Sequence, residues 1–548
     1  MKKNGYPRWG LIIVLLTAVV CILFSHSIKN GEESGEAEPS NYRSKEEISI
    51  AYWNIESLVK ESAPDGILQF IQNRFNIKIT PVSVTWSNYK ERYRTLSLAD
   101  SLPDVFSTVT LSSGDPSDSA TYSSMIENGR IRALPDDLSE WPGVKTVVNS
   151  VPAAQWTDGH YYLIPRRSFS NPVIGMSDAA MLVRKDWMEN LGLQNPESFD
   201  DFKNMAVAFS RDDPDGNGID DTIGYNINSI NALGKWVILG IRPELNTFSW
   251  IEYDGQYTPT WACPEFTEMA VDFQELYREG ALDPEFYTKN PGSVLEDFAS
   301  GRLGLLEYKY SPAALRQLED LWKKYNTTSF YDCVGVLPIF PTEGGIRYSN
   351  ASNNIWSESY ISSSVSDEKL ERILDLYEYL LSDEGQQLIN YGIEGTDYEV
   401  QADGSIQILV PISESHGLRS VLLEKYPSLQ LFSSLAQWED QNWNSDKQEC
   451  FYELKYGKNN LSMAKDALLW CQKNTTQIKR PLSFLNAPKE ETSSFSSSSA
   501  QQNFISCILG EEPAGKSWES YISTLKKAGL DAYIEKQNRI YQQLVSDS

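Results

Sequence analysis

The N-terminal part of the globular sequence alternates between strand-like and helix-like patterns of apolar residues. Apolar side chains stand at every second position in 48–53 and 77–84, which is typical of β-strands. They recur at helical spacing in 64–75 and 88–101, and 103–107 predicts a third strand. Strands that alternate with helices in this way predict an α/β domain with parallel strands.

The remainder of the chain has mainly helical periodicity. Apolar residues recur every three to four positions in the stretches 200–209, 263–280, 312–325, 367–381 and 517–541. A serine-rich run before the last stretch has the composition of a linker, but apolar residues follow it directly. We therefore expect a loop or a helix start there, within the folded domain. Because 548 residues exceed what one hydrophobic core usually serves, we expect at least two lobes.

Residues 1–25 have the composition of an export segment. Basic residues precede an uncharged apolar run at 9–24, which predicts a signal peptide or a short membrane anchor. Cys21 makes lipidation one of three outcomes, although the residues before it match a lipoprotein cleavage motif poorly. The other two outcomes are cleavage after Ser27 and no cleavage. In each case we expect the rest of the chain to lie outside the cytoplasm.

Residues 26–47 are rich in Gly, Glu, Ser, Asn and Pro and cannot bury a core. This composition predicts a flexible tether. We therefore expect a globular region, 48–548, that is attached to the outer face of the cell membrane.

Charge and composition narrow the classes of function. The formal net charge is −27, and no long stretch is basic, which argues against a nucleic-acid-binding surface. The chain has three histidines in all, so few are available for a histidine-based metal site or catalytic triad. The cysteines form no CxxC pair, so zinc is not indicated, and their disulfide pairing cannot be deduced from sequence. Neither GxGxxG nor GxxxxGK[ST] occurs in the N-terminal α/β region, so nucleotide binding is not indicated.

The acidic segment 213–221 has the spacing of a calcium-binding loop. Calcium takes six to eight oxygen ligands, and alternate residues of a tight loop can all point inward. Gly218 stands at the sixth position, where such a loop needs a conformation that favours glycine. The candidate ligands are the side chains of Asp213, Asp215, Asn217 and Asp221 and the carbonyl oxygen of Ile219.

This segment is not a complete EF-hand loop. Its twelfth position, which is normally a bidentate glutamate, is Gly224. The alternative to a calcium site is an acidic surface turn without a metal, because Asp, Asn, Gly and Pro all favour turns.

A series of short motifs runs along the chain from residue 102 to residue 530. They include LPDVF at 102–106, YLIP at 162–165, LVRKDWMENLG at 182–192, GALDPEF at 280–286, FASGR at 298–302, SDEG at 382–385, YGIEG at 391–395 and the segment 516–530. In this order they resemble the extracellular solute-binding proteins of carbohydrate ABC transporters. The resemblance is to the long Gram-positive branch that includes LplA-like lipoproteins and alginate-binding proteins, and it spans about residues 47–545.

This resemblance implies an α/β fold of the type II periplasmic-binding-protein class, with two lobes and a ligand cleft between them. We expect the first lobe to comprise mainly 48–160 and about 290–345, and the second mainly 161–289 and about 346–548. The implied function is to capture a carbohydrate, in particular an oligosaccharide, and to deliver it to ABC permease subunits without chemical turnover. A monomer is expected.

The resemblance also implies a role for the acidic loop. In relatives that bind calcium, the five positions named above hold the ion, which fastens a loop of one lobe. The alginate-binding relatives add an acidic residue at the tenth position, where this chain has Thr222. A hydroxyl or a water molecule would have to supply that oxygen.

Candidate ligand-binding residues lie near the predicted strand ends and the crossing segment. Sugar sites combine aromatic rings with side chains that form paired hydrogen bonds, and strand ends of an open α/β sheet bring such groups together. Each aromatic residue could instead pack in the core. Asp104 could instead cap a turn or a helix, and Arg166 could instead pair with a carboxylate across the lobes. The candidates are Trp53, Trp86, Asp104, Tyr162, Arg166, Asn354 and Trp356.

Two other functions compete with the transport receptor. A secreted glycoside hydrolase needs a pair of carboxyl groups, which the 75 acidic residues allow, although no sequence feature positions such a pair. A ligand-sensing subunit of a membrane signalling system would share the fold and differ in its partner.

Overall fold

The computed structural model describes residues 42, 44–112, 116–151, 154–168, 172–227, 234–245, 248–350, 355–402, 404–413, 416–438, 442–478 and 495–546. The expected signal or anchor segment with Cys21, most of the expected tether and Asn354 lie outside these ranges. No helix in the described part of the chain has both the length and the apolar character needed to cross a membrane.

The strands of the described part follow one another along the whole chain. They are β1 (Glu46–Trp53), β2 (Ile77–Val84), β3 (Val105–Thr108), β4 (Leu163–Arg167), β5 (Ala180–Arg184), β6 (Ile223–Ile227), β7 (Trp250–Tyr253), β8 (Gln256–Pro259), β9 (Leu303–Tyr308), β10 (Val334–Leu337), β11 (Tyr348–Asn350), β12 (Ile355–Ile361), β13 (Tyr398–Val400), β14 (Ile406–Ile408) and β15 (Thr476–Ile478).

The helices occupy most of the remaining described chain. They are α1 (Ile55–Leu58), α2 (Gly66–Arg74), α3 (Tyr89–Leu98), α4 (Pro116–Glu127), α5 (Pro142–Asn149), α6 (Lys185–Leu191), α7 (Phe199–Arg211), α8 (Lys235–Ile241), α9 (Phe266–Arg278), α10 (Pro291–Ala299), α11 (Pro312–Tyr325), α12 (Phe330–Cys333), α13 (Asp367–Leu381), α14 (Asp383–Tyr391), α15 (Leu418–Lys425), α16 (Leu429–Leu435), α17 (Glu449–Tyr456), α18 (Lys458–Asn474), α19 (Ser497–Leu509), α20 (Ala514–Lys527) and α21 (Leu530–Ser546).

The first lobe is built on a five-stranded sheet in the order β2-β1-β3-β12-β4. Strands β1, β2 and β3 are parallel, and β12 runs antiparallel to both β3 and β4. The carboxyl ends of β1 to β4 and the amino end of β12 therefore meet along one side of the sheet. We call this side the cleft edge, and it is marked by Trp53, Val84, Thr108, Arg167 and Ile355.

The second lobe is built on a four-stranded sheet in the order β10-β5-β9-β6. Strand β5 is antiparallel to β10 and β9, and β6 is parallel to β9. Helices α19 and α20 pack on α9, and α21 lies along β8. The chain thus begins in the first lobe, crosses to the second after β4, and returns to the first before β12.

The expected lobe boundaries differ from this strand pairing. The sequence predicts about 290–345 in the first lobe, but β9 and β10 belong to the second sheet. It predicts mainly the second lobe for about 346–548, but β12 belongs to the first sheet. Local patterns predict that a strand exists, whereas the sheet that it joins depends on non-local pairing. We propose a first lobe of 46–167 and 355–456 and a second lobe of 180–337 and 495–546.

Most predicted elements of secondary structure are confirmed. The stretches 77–84, 312–325 and 367–381 coincide with β2, α11 and α13 at both ends. The serine-rich run leads into α19, which begins at Ser497. The apolar spacing predicts helix over 517–541, and this stretch is divided between α20 and α21 at Gly529, whose φ of +105° interrupts the helix.

The last residues of the expected tether are part of the folded domain. Strand β1 already begins at Glu46, and the carbonyl oxygen of Ser44 accepts hydrogen bonds from Arg372 and from Asn76, both at 2.9 Å. The boundary at residue 47 is therefore too late, because backbone hydrogen bonds fix this segment.

Several helices begin where the sequence provides an N-cap. Ser198 accepts a hydrogen bond from the backbone N–H of Asp201 at 3.1 Å at the start of α7. Asp65 caps α2, and its second carboxylate oxygen accepts the backbone N–H of Ser428 at 2.8 Å. One carboxylate thus starts α2 and fastens it to the residue that precedes α16.

Lys289 holds two buried carboxylates together in the second lobe. Its Nζ lies 2.7 Å from Asp283 and 2.7 Å from Asp297, whose side chains are 2% and 4% exposed. Replacing Lys289 by alanine leaves both carboxylates buried without this cation. We expect K289A to lower the free energy of unfolding by about 3–5 kcal/mol, as measured by urea denaturation.

Lys465 offers a matched control. Its side chain is 16% exposed, close to the 14% of Lys289, but its partners Asp446 and Glu449 are 95% and 48% exposed. We expect K465A to lose about 1 kcal/mol or less, because its carboxylates regain water. If K289A and K465A lose equal amounts of the free energy of unfolding, burial of the carboxylates does not determine the loss.

Candidate functional site

Three tryptophan side chains meet at the cleft edge of the first lobe. Trp53 ends β1, Trp86 follows β2, and Trp356 is the second residue of β12. The ring centroids of Trp53 lie 5.3 Å from those of Trp86 and 5.4 Å from those of Trp356, and Trp86 stacks on Trp356 at 5.4 Å with planes 11° apart. We call these three residues the tryptophan cluster. Trp53 is buried, whereas Trp86 and Trp356 are 40% and 37% exposed, so two of the rings reach solvent.

A β-bulge places Trp356 beside Arg166. Ile355 pairs with Arg167 and Ser357 pairs with Arg166, so Trp356 is the extra residue between two adjacent pairs. Bulges of this kind change the direction of a side chain at the end of a sheet. The guanidinium carbon of Arg166 lies 4.5 Å from the centre of the Trp356 ring.

Arg166 is 5% exposed and is held from several sides. Its Nη1 donates hydrogen bonds to the carbonyl oxygen of Ser434 at 2.8 Å and to the hydroxyl of Tyr52 at 3.4 Å. Ser434 lies in the last turn of α16, where helix carbonyls carry partial negative charge. The guanidinium carbon also lies 5.7 Å from the centre of the Trp438 ring. Burial lowers the pKa of Arg166 from its ordinary value, and the guanidinium remains charged.

A cavity of about 660 Å³ opens next to these groups, between the two lobes. Ser420 on α15 donates a hydrogen bond to Asp320 on α11 at 3.3 Å, which connects the two walls. We call this cavity the interlobe cleft. Its walls include Tyr52, Arg166, Trp356, Arg419 and Trp438 from the first lobe and Tyr308, Lys309, Arg316, Gln317 and Asp320 from the second.

The acidic groups of the cleft are engaged with cations. Arg316 contacts Asp320 at 3.0 Å, and Lys309 contacts Asp178 at 3.6 Å. Among the described residues, Arg166 forms no ion pair with a carboxylate, and its Nε is buried without a hydrogen bond. The cleft therefore contains one buried guanidinium whose charge is not matched by an acidic side chain.

Glu358 lies two residues beyond Trp356 on β12 and is 1% exposed. Burial raises the pKa of its carboxyl group to about 8. At neutral pH this group is therefore mainly protonated, and it provides little negative charge near Arg166.

Two of the predicted ligand-binding residues lie at the opposite edge of the first sheet. Asp104 precedes β3 instead of following it, and it accepts hydrogen bonds from the backbone N–H of Ser49 at 2.7 Å and from Lys369 at 3.2 Å. Tyr162 precedes β4, and its hydroxyl donates to Asp158 at 2.8 Å. Neither residue joins the cleft, because the direction of each strand places its amino end on the far side. Asn354 lies outside the described residues.

Trp438 and the cleft-facing residues of α11 and α15 were not predicted from sequence. Trp438 is positioned by a bridge between Arg167 and Gln437, and its backbone N–H donates to the carbonyl oxygen of Arg167 at 2.7 Å. This contact joins positions far apart in the chain, so no local pattern reveals it.

A second cavity of about 650 Å³ lies beside β10 and α18. Its walls include Trp236, Tyr310, Val336, Met463 and Trp470. Neither Trp356 nor Arg166 lines it, whereas both line the interlobe cleft, so we place the candidate ligand site in the interlobe cleft.

The acidic loop turns its side chains back onto its own backbone. Asp213 accepts the backbone N–H of Gly218 at 3.0 Å, and the Asn217 side-chain oxygen accepts that of Ile219 at 2.6 Å. The Asn217 side-chain N–H lies between two carboxylates, 2.8 Å from Asp215 and 3.3 Å from Asp221. Asp213 and Gly218 have φ values of +48° and +77°, which close the turn.

Two neighbouring residues limit the ligands that this loop can offer. The Thr222 hydroxyl donates to the carbonyl oxygen of Phe209 at 2.8 Å, so α7 fixes its position. A side chain at Gly224 would place its Cβ 2.0 Å from the carbonyl oxygen of Ala206 and 2.8 Å from that of Ala281. The glutamate of an EF-hand has no space at this position. In the described ranges, no three His, Cys, Asp or Glu side chains are arranged to hold a metal ion.

The sequence matches the family model of the bacterial extracellular solute-binding proteins over residues 60–387. It is similar to lipoprotein LipO of Bacillus subtilis (strain 168), with 26% identity over 414 residues that cover 73% of this chain and 75% of LipO. It is also similar to the polygalacturonan/rhamnogalacturonan-binding protein YtcQ of the same organism, with 23% identity over 401 residues, 72% of this chain and 75% of YtcQ.

Solved structures show the same fold. Alginate-binding protein AlgQ2, in a crystal structure without calcium ion, has a TM-score of 0.68 at 16% identity and covers 92% of this chain and 100% of its own. The ABC-transporter substrate-binding protein FusA of S. pneumoniae, an EF-hand mutant in complex with fructo-nystose, has a TM-score of 0.63 at 17% identity and covers the same shares, 92% and 100%. These similarities confirm the predicted two-lobed α/β fold of type II.

Glu358 generates a testable dependence of stability on pH. The folded protein keeps a proton on this carboxyl up to a pKa of about 8, whereas an unshifted glutamate releases it near 4.5. Its contribution to stability is therefore full at low pH and is lost as the pH rises through this window, by about 1 kcal/mol per pH unit. We expect E358Q to flatten the fall in the free energy of unfolding between these values. A difference between variant and wild type that does not change with pH would contradict this.

Proposed function

Because the chain belongs to the bacterial extracellular solute-binding protein family, we propose that it captures an oligosaccharide in its interlobe cleft and passes it unchanged to the permease of an ABC transporter. The observation that carries this proposal is the tryptophan cluster beside Arg166 at the cleft edge. Named relatives support it, since YtcQ is a polygalacturonan/rhamnogalacturonan-binding protein and FusA has been solved with fructo-nystose.

The geometry suits the two kinds of surface on a sugar ring. The exposed parts of Trp86 and Trp356 offer aromatic surface to the apolar face of a ring. Polar side chains on the other walls, among them Gln317 and Arg419, offer hydrogen bonds to its hydroxyls. Because these groups come from both lobes, closure of the lobes around the ligand would complete the site, as in hinge-closing binding proteins.

We propose that the protein performs no chemical turnover. A glycoside hydrolase needs two carboxyl groups on either side of the scissile bond, one of them free to act as base or nucleophile. The two carboxylates that line the described cleft, Asp178 and Asp320, contact Lys309 and Arg316 respectively. Their engagement with cations favours a receptor over the alternative of a secreted hydrolase.

We further propose that the protein acts as a monomer at the outer face of the cell membrane, to which the N-terminal segment attaches it. Its family is extracellular, and the similar protein LipO is a lipoprotein. The ligand-sensing alternative would keep the same cleft and exchange the permease for a signalling partner.

The acidic loop is proposed to bind calcium as a structural ion. Its oxygen set comprises the side chains of Asp213, Asp215, Asn217 and Asp221 and the carbonyl of Ile219, the ligand types that calcium prefers. The Asn217 side-chain N–H lies within hydrogen-bond distance of both Asp215 and Asp221, so these two carboxylates are close together, which supports the proposal. AlgQ2 has been solved without calcium ion, and FusA has been solved as an EF-hand mutant, which supports a calcium loop in this fold.

Trp86 tests the ligand site. We expect W86A to lower the affinity for a bound oligosaccharide about 10- to 100-fold, because an aromatic surface that stacks on sugar is removed. Because Trp86 also packs against Trp53 and Trp356, we expect W86A to lower the melting temperature as well, so its affinity is measured well below that transition. Titration calorimetry with a panel of oligosaccharides measures the affinity, and chromatography of the ligand after incubation measures turnover.

Tyr287 is the control for that experiment, because it is 43% exposed but lies in the second lobe, where its ring packs on Phe286 and not on the tryptophan cluster. We expect Y287A to bind like wild type. Unchanged affinity in W86A would remove the cluster from the site, and the appearance of shortened sugars would contradict a receptor without turnover.

Asp213 tests the calcium proposal. Calcium at about 100 times its dissociation constant should stabilise the protein by about 3 kcal/mol, and a chelator should remove this gain. We expect D213N to lose most of the calcium-dependent shift in melting temperature, while asparagine still tolerates the φ of +48°. D254N is the matched control, because Asp254 has a φ of +50° in another turn, and it should keep the shift. A loop that is only a turn would show no calcium-dependent shift in any variant.

A further inference from the structure

Arg166 has the environment of a cation whose counter-ion comes from a ligand. It lines the interlobe cleft, is 5% exposed, and has a buried Nε without a hydrogen bond. Both of its hydrogen bonds to described residues use Nη1, so among these residues neither Nε nor Nη2 has an acceptor.

Buried charge requires compensation, and the fold compensates this one only in part. The carbonyl of Ser434 supplies the partial negative charge of a helix end, and the rings of Trp356 and Trp438 face the guanidinium. Neither contact carries a full negative charge. A buried guanidinium with no acidic partner gains most from an anion that enters the site.

The surrounding acids do not supply that anion. The carboxyl group of Glu358 has its pKa raised to about 8 by burial, so it is mainly neutral at pH 7. Asp178 and Asp320 contact Lys309 and Arg316. The described cleft walls contain four cationic side chains and two carboxylates, in a chain whose net charge is −27. The cleft is thus positive where the protein as a whole is negative.

We propose that the captured oligosaccharide contains uronic acid, and that one of its carboxylates binds Arg166 between Trp356 and Trp438. This rests on the proposed function and specifies its ligand class. The planar guanidinium can donate two parallel hydrogen bonds to a carboxylate, and a sugar ring that carries the carboxylate would lie next to the tryptophan cluster. A neutral oligosaccharide would leave the charge of Arg166 buried and unmatched.

The names of relatives do not decide between charged and neutral ligands. YtcQ is named for polygalacturonan and rhamnogalacturonan, whereas FusA has been solved with fructo-nystose. Membership of the family therefore leaves the charge of the ligand open. The positive charge of this cleft is the feature that favours an anionic ligand.

The test compares charged sugars with neutralised forms of the same sugars. The full-length protein, purified in detergent, is titrated by calorimetry with trimers of galacturonate, mannuronate and guluronate. Each trimer is also tested as its methyl ester, which keeps the ring stereochemistry and removes the charge. Kestose and maltotriose serve as neutral trisaccharides. We expect at least one uronate trimer to bind, with its ester at least about 100-fold weaker.

Arg166 variants connect this preference to one side chain. We expect R166M to lower the affinity for the uronate trimer about 100-fold. R166K should retain part of the affinity, because lysine keeps the charge but loses the planar pair of donors. If R166M does not fold, R166K still tests the proposal: an affinity equal to that of wild type would overturn paired binding at this site.

The outcomes separate this inference from the proposed function. The inference would be overturned if the protein binds a neutral trisaccharide as tightly as the uronate trimers and R166K has the same affinities as wild type. Oligosaccharide capture would then remain intact. Failure of every sugar to bind would overturn both.

Discussion

The pairing of β12 with β3 and β4 is the constraint on which the rest of the structure depends. The chain reaches β12 only after it has built the sheet of the second lobe, so this strand completes the first sheet and ties the lobes together. Its antiparallel direction brings Trp356 to the side where β1 and β2 end. The bulge at Trp356 then places that ring against Arg166. A single strand insertion thus assembles groups that are otherwise remote in sequence.

Local patterns predicted the elements well and their arrangement less well. The limits of β2, α11 and α13 follow from alternation and helical spacing, which depend on neighbouring residues. Trp53 and Trp86 lie together, as expected, because parallel strands end at the same edge, and their contact with a ligand stays a proposal. Asp104 and Tyr162 were misplaced because each stands at the start of a strand, where the same rule sends it to the far edge. Trp438 could not be predicted at all, since a bridge to Arg167 determines its position.

The acidic loop shows how packing restricts a motif. Its first nine positions keep the spacing of a calcium loop, yet the chain then enters β6 directly, and Gly224 lies against the carbonyl oxygens of Ala206 and Ala281. The twelfth-position glutamate of an EF-hand is excluded by this contact and not by a lack of acidic residues. Thr222 at the tenth position donates its hydroxyl hydrogen to a carbonyl oxygen of α7. A cation in this loop would be held by the first nine positions, with the Thr222 oxygen or solvent to complete its shell.

The central claim is that the interlobe cleft, with the tryptophan cluster on its rim, is where an oligosaccharide binds. A crystal structure of the protein with a bound oligosaccharide tests this most directly. The account predicts a sugar ring in contact with Trp86 or Trp356, enclosed between the walls that Arg166 and α11 provide. A sugar bound instead in the cavity beside β10 and α18, with the interlobe cleft free of ligand, would contradict it.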